Sequence, residues 1–170
     1  MTEILLARHG ETDWNLERRV QGHTDRPLNA TGVEQARMLA ARLAQEPLVA
    51  AYASDLLRAR KTADIVAGVH GIDVTLEPGL REKNFGTWEG LTDVEIQVRF
   101  PDAARGRWGD AETTEMVAER AIAVIDRIRA RHPAETVLAV SHGGPVRAIL
   151  AHLGIVHGPI GNCEVFRIGV

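Results

Sequence analysis

Short apolar runs of four to six residues alternate along the chain with segments whose apolar positions recur every three or four residues. Ile4 to Ala7 opens the pattern with the continuity of a strand buried on both faces, and it stops at Arg8-His9-Gly10. Val33, Ala36, Ala40 and Leu43 share one face of a helix, Thr31 and Glu34 have capping-box spacing at its start, and Pro47 lies beyond its end. Leu48 to Ala53 reads as a second strand. Ser54 or Asp55 then caps a helix that buries Ala59, Ala63, Val66 and Ala67 and ends before Gly71. Asp73 to Leu76 is a weaker strand, and Glu77 to Gly90, rich in Pro, Gly and aromatic residues without a period, reads as an ordered loop. Val117, Ala121, Val124, Ile125 and Ile128 make a long helical stripe closed by His132-Pro133, and Thr136 to Val140 is the strongest strand signal of the second half. Pro145 suits the first turn of a last helix, whose stripe is Val146, Ile149, Leu150 and Leu153 with Gly154 as its terminator. Cys163 to Ile168 is the closing strand.

This alternation predicts an α/β fold, a three-layer α/β/α sandwich with a mainly parallel central sheet. The 170 residues are enough for one cored domain, spanning 1–170, and show no repeat, linker or composition shift. In such a fold ligands bind beyond the carboxyl ends of the strands. Arg8 and His9 follow the first strand, Ser54 to Arg58 the second, and His142 the strong late one, so all three motifs fall on that edge.

Charge and cysteine content narrow the classes. A net charge of -3 argues against a general basic surface for nucleic acid, so any anion must be gripped locally. One cysteine, Cys163, cannot form an internal disulfide, which suits the cytoplasm and rules out a cysteine-rich metal site. The apolar run from Ile4 to Ala7 is far shorter than a signal-peptide core or a membrane span.

A phosphate monoester requires neutralisation of its non-bridging oxygens, an in-line nucleophile and a proton for the departing oxygen. Arg8 and Arg58 offer rigid forks of donors that match phosphate. His9 and His142 each occupy a strand-end turn followed by glycine, Gly10 and Gly143, where an anion can approach the backbone closely. One imidazole could attack while the other stabilises. A histidine nucleophile must be neutral, and two guanidinium groups with a second imidazole nearby would lower its pKa. Glu82, kept protonated by partial burial, could protonate the leaving group and, once ionised, activate water. Glu77, Glu89 and Glu11 also lie near loops, and no spacing rule selects among the four. Each of these residues taken alone also has an ordinary structural reading, as a core histidine, a solvated arginine or a surface acid. Their joint placement carries the case.

The stretch Leu6-Ala7-Arg8-His9-Gly10-Glu11-Thr12-Asp13-Trp14-Asn15 resembles the signature of the histidine phosphatase superfamily, also called the phosphoglycerate mutase-like family. The resemblance continues in the family's order through Gln21-Gly22-His23-Thr24-Asp25, Ser54-Asp55-Leu56-Leu57-Arg58-Ala59, Leu80-Arg81-Glu82 with Phe85-Gly86, and Val140-Ser141-His142-Gly143-Gly144. It implies a phosphoglycerate mutase-like fold, phosphorylation of His9, a phosphate pocket lined by Arg8, Arg58 and His142, and Glu82 as proton donor and acceptor. It adds Asn15 and Gly22 as phosphate-holding residues, with Gln21 and Gly143 beside them among the substrate-binding positions. It also implies no metal and no organic cofactor, and a small phosphorylated metabolite as partner.

Two departures favour phosphatase over mutase. Gln21 stands where mutases of the family usually have Ser, and the segment from Glu82 to His142 lacks the long basic insertion with which they hold phosphoglycerate. Arg99, Arg105, Arg107 and Trp108 in that shortened segment are candidates to touch the non-phosphate part of a substrate. The rival readings are a cofactor-dependent phosphoglycerate mutase, a non-catalytic phospho-ligand module, and a metal hydrolase. The last is disfavoured because His9, His23, His70, His132, His142, His152 and His157 show no tight paired spacing with a carboxylate. The closing strand could lie at a sheet edge and pair across a homodimer.

Overall fold

The computed structural model describes residues 1–101 and 110–170. Arg105, Arg107 and Trp108 lie outside the described residues. Five strands, β1 (Glu3–Arg8), β2 (Leu48–Ala53), β3 (Val74–Leu76), β4 (Thr136–Ser141) and β5 (Val165–Gly169), form one sheet in the order β3-β2-β4-β1-β5. Every neighbouring pair is parallel except β1 with β5, which is antiparallel. The described helices are α1 (Asp13–Leu16), α2 (Ala30–Leu43), α3 (Leu57–His70), α4 (Asp93–Arg99), α5 (Thr114–Arg131) and α6 (Gly143–His152).

The continuous apolar runs of β1 and β4 follow from burial on both faces. Leu5, Ala7, Leu138 and Val140 point to one face, where Ala36, Leu39, Ala40 and Leu43 of α2 and Ala59, Ala63, Val66 and Ala67 of α3 cover them. Ile4, Leu6, Val137 and Ala139 point to the other, under Ala121, Val124, Ile125 and Ile128 of α5 and Val146, Ile149 and Leu150 of α6. The period of two in the strands thus meets the 3.6-residue stripes of the helices in two separate cores. The three layers are those the sequence pattern predicts.

Adjacent parallel strands β1 and β4 send the chain to opposite faces, β1 on to α2 and β4 to α6. That divergence opens a crevice at the carboxyl ends of the two strands, the switch point where α/β sheets hold ligands.

Several boundaries differ from the sequence reading. The cap of α2 is Asn29, whose side chain accepts the Gly32 amide at 2.8 Å, not Thr31, which lies inside the helix. Glu11 orients that cap by accepting the Asn29 side-chain amide at 2.9 Å. Neither Ser54 nor Asp55 caps α3. Ser54 is turned to His142, Asp55 is held by Arg81, and the free amide of Leu57 finds Asp25 instead, at 2.7 Å. Between Glu77 and Gly90 the loop contains two 3-10 turns, Pro78–Leu80 and Gly86–Trp88. Two short helices were not read from the sequence, α1 and α4, although each has a capping box, Thr12 with Asn15 and Thr92 with Glu95. The closing strand starts at Val165, because Cys163 adopts a φ of 55° and gives its amide to the Arg8 and His9 carbonyls. That strand does lie at an edge of the sheet.

Candidate active site

The register of β1 against β4 pairs Arg8 with Ser141, so the next residue of each strand, His9 and His142, emerge side by side. Their ring centroids are 4.9 Å apart with the planes tilted by 60°. β2 lies on the other side of β4, which brings Ser54 beside His142 and α3, with Arg58 in its first turn, beneath both. His9, His142 and Arg58 are all buried.

Each imidazole is held by one nitrogen. His9 Nδ1 lies 2.7 Å from the Gly10 carbonyl. A carbonyl only accepts, so Nδ1 carries the hydrogen and the neutral ring presents Nε2 as a lone pair. His142 Nε2 lies 2.8 Å from Ser54 Oγ, and its Nδ1 is buried without a partner among the described residues. Burial, then the charges of Arg58 and Arg8, hold His9 well below the usual histidine pKa; burial, Arg58 and His9 do the same to His142. Both rings are therefore neutral at pH 7.

The two arginines are held by neutral groups. Arg58 donates to the carbonyls of Gly22 at 2.7 Å and Thr24 at 3.1 Å, and Arg8 donates to the Ile160 carbonyl at 2.6 Å. Neither forms an ion pair among the described residues, and the buried Nε of each is unpartnered. Burial lowers the pKa of both, that of Arg58 to about 10, so both remain charged near neutrality. Carbonyl dipoles orient the guanidinium groups without cancelling them, which leaves their charge for an anion.

Four carboxylates were open from spacing alone, and the structure distinguishes their surroundings. Glu11 holds Asn29, and Glu77 pairs with Arg127 at 2.8 Å. Glu89 accepts the amides of His23, Thr24 and Phe85 and the Thr24 hydroxyl, all within 3.1 Å. Glu82 accepts the Lys83 amide at 2.8 Å and the Gly144 amide at 3.1 Å, and is the strongest acidic neighbour of both Arg8 and Arg58. Its head rests against the first turn of α6, where a side chain at position 144 would collide with it.

The remaining candidates lie around this cluster. Asn15 Oδ1 accepts the Thr12 amide at 3.0 Å and faces the Asn162 side chain, which also donates to the His9 carbonyl at 3.0 Å. The buried Gln21 turns its side-chain oxygen to Thr12 Oγ1 at 2.9 Å. Gly22, at a φ of 54°, supplies the carbonyl that holds Arg58, and any side chain there would strike Glu89. Gly143 is the buried first residue of α6. Arg99 ends α4 as an exposed side chain and makes none of these contacts.

Sequence reasoning missed the residues that hold these ones in place. Thr62 Oγ1 accepts the Gly10 amide at 3.1 Å and donates to the Arg58 carbonyl at 2.7 Å, tying the His9 turn to α3. Glu89 fixes the loop whose carbonyls grip Arg58. Arg120 donates to the carbonyls of Gly79, Arg81 and Glu82 at 2.6 to 2.9 Å while pairing with Glu112 through two nitrogens, each at 2.9 Å. It thereby anchors the loop that carries Glu82.

Residues 4–168 match the family model described as histidine phosphatase superfamily, branch 1. The chain belongs to that superfamily. Among curated relatives, it is 37% identical over 160 residues to the metal-independent phosphoserine phosphatase of Arabidopsis thaliana, covering 88% of this chain and 67% of that protein. It is 38% identical over 151 residues to the probable phosphoglycerate mutase GpmB of Photorhabdus laumondii, covering 84% and 70%. Among solved structures of the superfamily's fold, YhfR of Bacillus stearothermophilus superposes with a TM-score of 0.91 at 36% identity, covering 100% of this chain and 92% of that one.

Proposed function

We propose that this chain hydrolyses small phosphorylated metabolites through a phosphohistidine intermediate on His9. By its superfamily and by the phosphatase among its relatives, the chain is a phosphoric monoester hydrolase. The observation that carries the phosphohistidine step is the Gly10 carbonyl on His9 Nδ1, which leaves Nε2 as the nucleophilic lone pair amid two unpaired guanidinium groups.

In the first step Nε2 attacks phosphorus in line, the bond from phosphorus to the ester oxygen breaks, and that oxygen takes a proton from Glu82. Arg8, Arg58 and His142 stabilise the charge on the three non-bridging oxygens. In the second step the Glu82 carboxylate takes a proton from water, the water oxygen attacks phosphorus, and the bond to Nε2 breaks to release inorganic phosphate. Asn15, Gln21, Gly22 and Gly143 form the surround of the bound phosphoryl group.

The test is to quench the protein during turnover of p-nitrophenyl phosphate and look for an added phosphoryl mass on the peptide containing His9. Acid-labile phosphate there, absent in His9→Ala, is the expected result; hydrolysis that survives His9→Ala overturns the reading. Measuring free phosphate against interconversion of phosphoglycerates in the same samples separates hydrolysis from phosphoryl return to a bound acid.

A further inference from the structure

The ester oxygen that receives a proton from Glu82 also carries the alcohol portion of the substrate, so that portion must leave the phosphate on the Glu82 side. A cavity of about 470 Å³ lies there, bounded by Glu82, Phe85, Val117, Ala148, Ala151 and Arg147. Its volume is that of a small-molecule site, and most of its walls are hydrocarbon. They come from α5, from α6 and from the Glu82 loop, elements whose other faces are packed into the core.

Arg147 is the distinctive group. It stands one turn beyond Gly143 on α6, and because residue 143 has no side chain its guanidinium lies back along the helix, where a Cβ at 143 would be 3.4 Å from Nη1. It comes close enough to Arg8 for the two like charges to oppose each other, which costs free energy that an anion between or beside them would recover. Among the described residues Arg147 forms no hydrogen bond and no ion pair. The other cation of the cavity, Lys83, lies over the Phe85 ring, 5.7 Å from its centroid. The acidic wall group is Glu82, whose proton goes to the ester oxygen in the proposed first step.

We infer that this cavity receives the alcohol portion of the substrate and that Arg147 selects phosphate monoesters whose alcohol has an apolar, ring-sized body bearing a carboxylate. The inference rests on Glu82 as the proton donor of the proposed hydrolysis. A hydrocarbon wall with one rigid guanidinium fork at its edge discriminates by charge and by shape together, and a carboxylate matches that fork with two hydrogen bonds. Arg147 is exposed, so its removal does not open a hole in the core.

The test compares kcat/KM for 4-carboxyphenyl phosphate, 3-carboxyphenyl phosphate and the neutral, equally bulky 4-carbamoylphenyl phosphate. In the wild-type protein at least one carboxylate ester exceeds the neutral one by about tenfold, the worth of a charge-assisted hydrogen bond at a partly solvated site. That ratio falls to about one in Arg147→Ala and below one in Arg147→Glu, while hydrolysis of the neutral ester reports that each variant is folded. Equal values for charged and neutral esters in the wild type, or a preference that persists in Arg147→Ala, overturns the inference and leaves the hydrolase reading standing. If the wild type cleaves p-nitrophenyl phosphate but none of the three, this inference falls alone; if it cleaves none of the four, the proposed phosphohistidine hydrolysis falls with it.

Discussion

Ser54 Oγ stands 2.8 Å from Nε2 of His142, at the junction of β2 with β4, and leaves Nδ1 as the nitrogen of that ring without a partner among the described residues. The same Oγ accepts the Leu56 amide at 3.3 Å, and the acceptor within reach of its own hydrogen among the described residues is His142 Nε2. The neutral ring then carries its hydrogen on Nδ1, a donor suited to a phosphoryl oxygen.

Removing that serine hydroxyl frees the ring to take the other tautomer. Ser54→Ala is expected to lower kcat by about tenfold, less than the roughly 100-fold or more of removing a transition-state donor itself, and to reduce stability by about 1 to 2 kcal/mol for one buried hydrogen bond. Steady-state kinetics and urea denaturation read the two effects. Unchanged kcat with lowered stability would make Ser54 purely structural.

The depressed pKa values of His9 and His142 set a pH dependence whose sign follows from linkage. In the unfolded chain both rings protonate as pH falls through about 6.5, whereas in the folded state they stay neutral to much lower pH. The unfolded state therefore binds more protons below about pH 6.5, and stability falls with falling pH by up to about 1.4 kcal/mol per pH unit for each histidine. Thermal melts between pH 7.5 and 5 should show that loss, reduced in His142→Ala. For the same reason the acid limb of kcat/KM should lie below pH 6.5; a midpoint at 6.5 would mean that His9 is not the shielded neutral nucleophile described above.

Glu82→Gln keeps the shape of the acid and removes its transferable proton. Alkyl phosphates, whose departing oxygen is strongly basic, should be hydrolysed about 100-fold or more slowly, while p-nitrophenyl phosphate loses much less in its first step. Rapid-quench measurement of phosphohistidine formation with the two ester types checks this. Equal slowing of both would count against proton donation.

Arg120 reaches three backbone carbonyls and a carboxylate from one guanidinium group, so its truncation should both destabilise the fold and loosen Glu82. Arg120→Ala is expected to cost about 2 to 4 kcal/mol in urea denaturation, because Glu112 is left without its cation. Alkyl phosphate hydrolysis should fall more than nitrophenyl phosphate hydrolysis, mirroring Glu82→Gln. Arg120→Lys should restore little of either, since an ammonium cannot reproduce the fork.

The parts of this molecule that were legible in the sequence are those written in one stretch of chain. β1 and β4 are continuous apolar runs because both faces of the sheet are covered, and the turns at their ends carry His9 and His142, residue types that stand out from their apolar surroundings. The caps of α3 were misread because Ser54 and Asp55, good local candidates, are taken by His142 and Arg81 from distant segments. Glu82 was selected by family resemblance alone; its physical distinction, the amide of Gly144 at the start of α6, exists only after folding. The loop-holding roles of Glu89, which the sequence offered only as a possible acid, and of Arg120 were invisible for a related reason. Their partners are mainly backbone groups of remote loops, and no residue type marks an amide or a carbonyl as a binding partner.

The position of β1 between β4 and β5 has a consequence for biogenesis. His9 is synthesised before both of the segments that hold its backbone: its amide waits for the carbonyl of Ser141 and its carbonyl for the amide of Cys163. A nascent chain lacking those segments holds His9 with no pocket around it, so the cluster is assembled only when the last strands join the sheet.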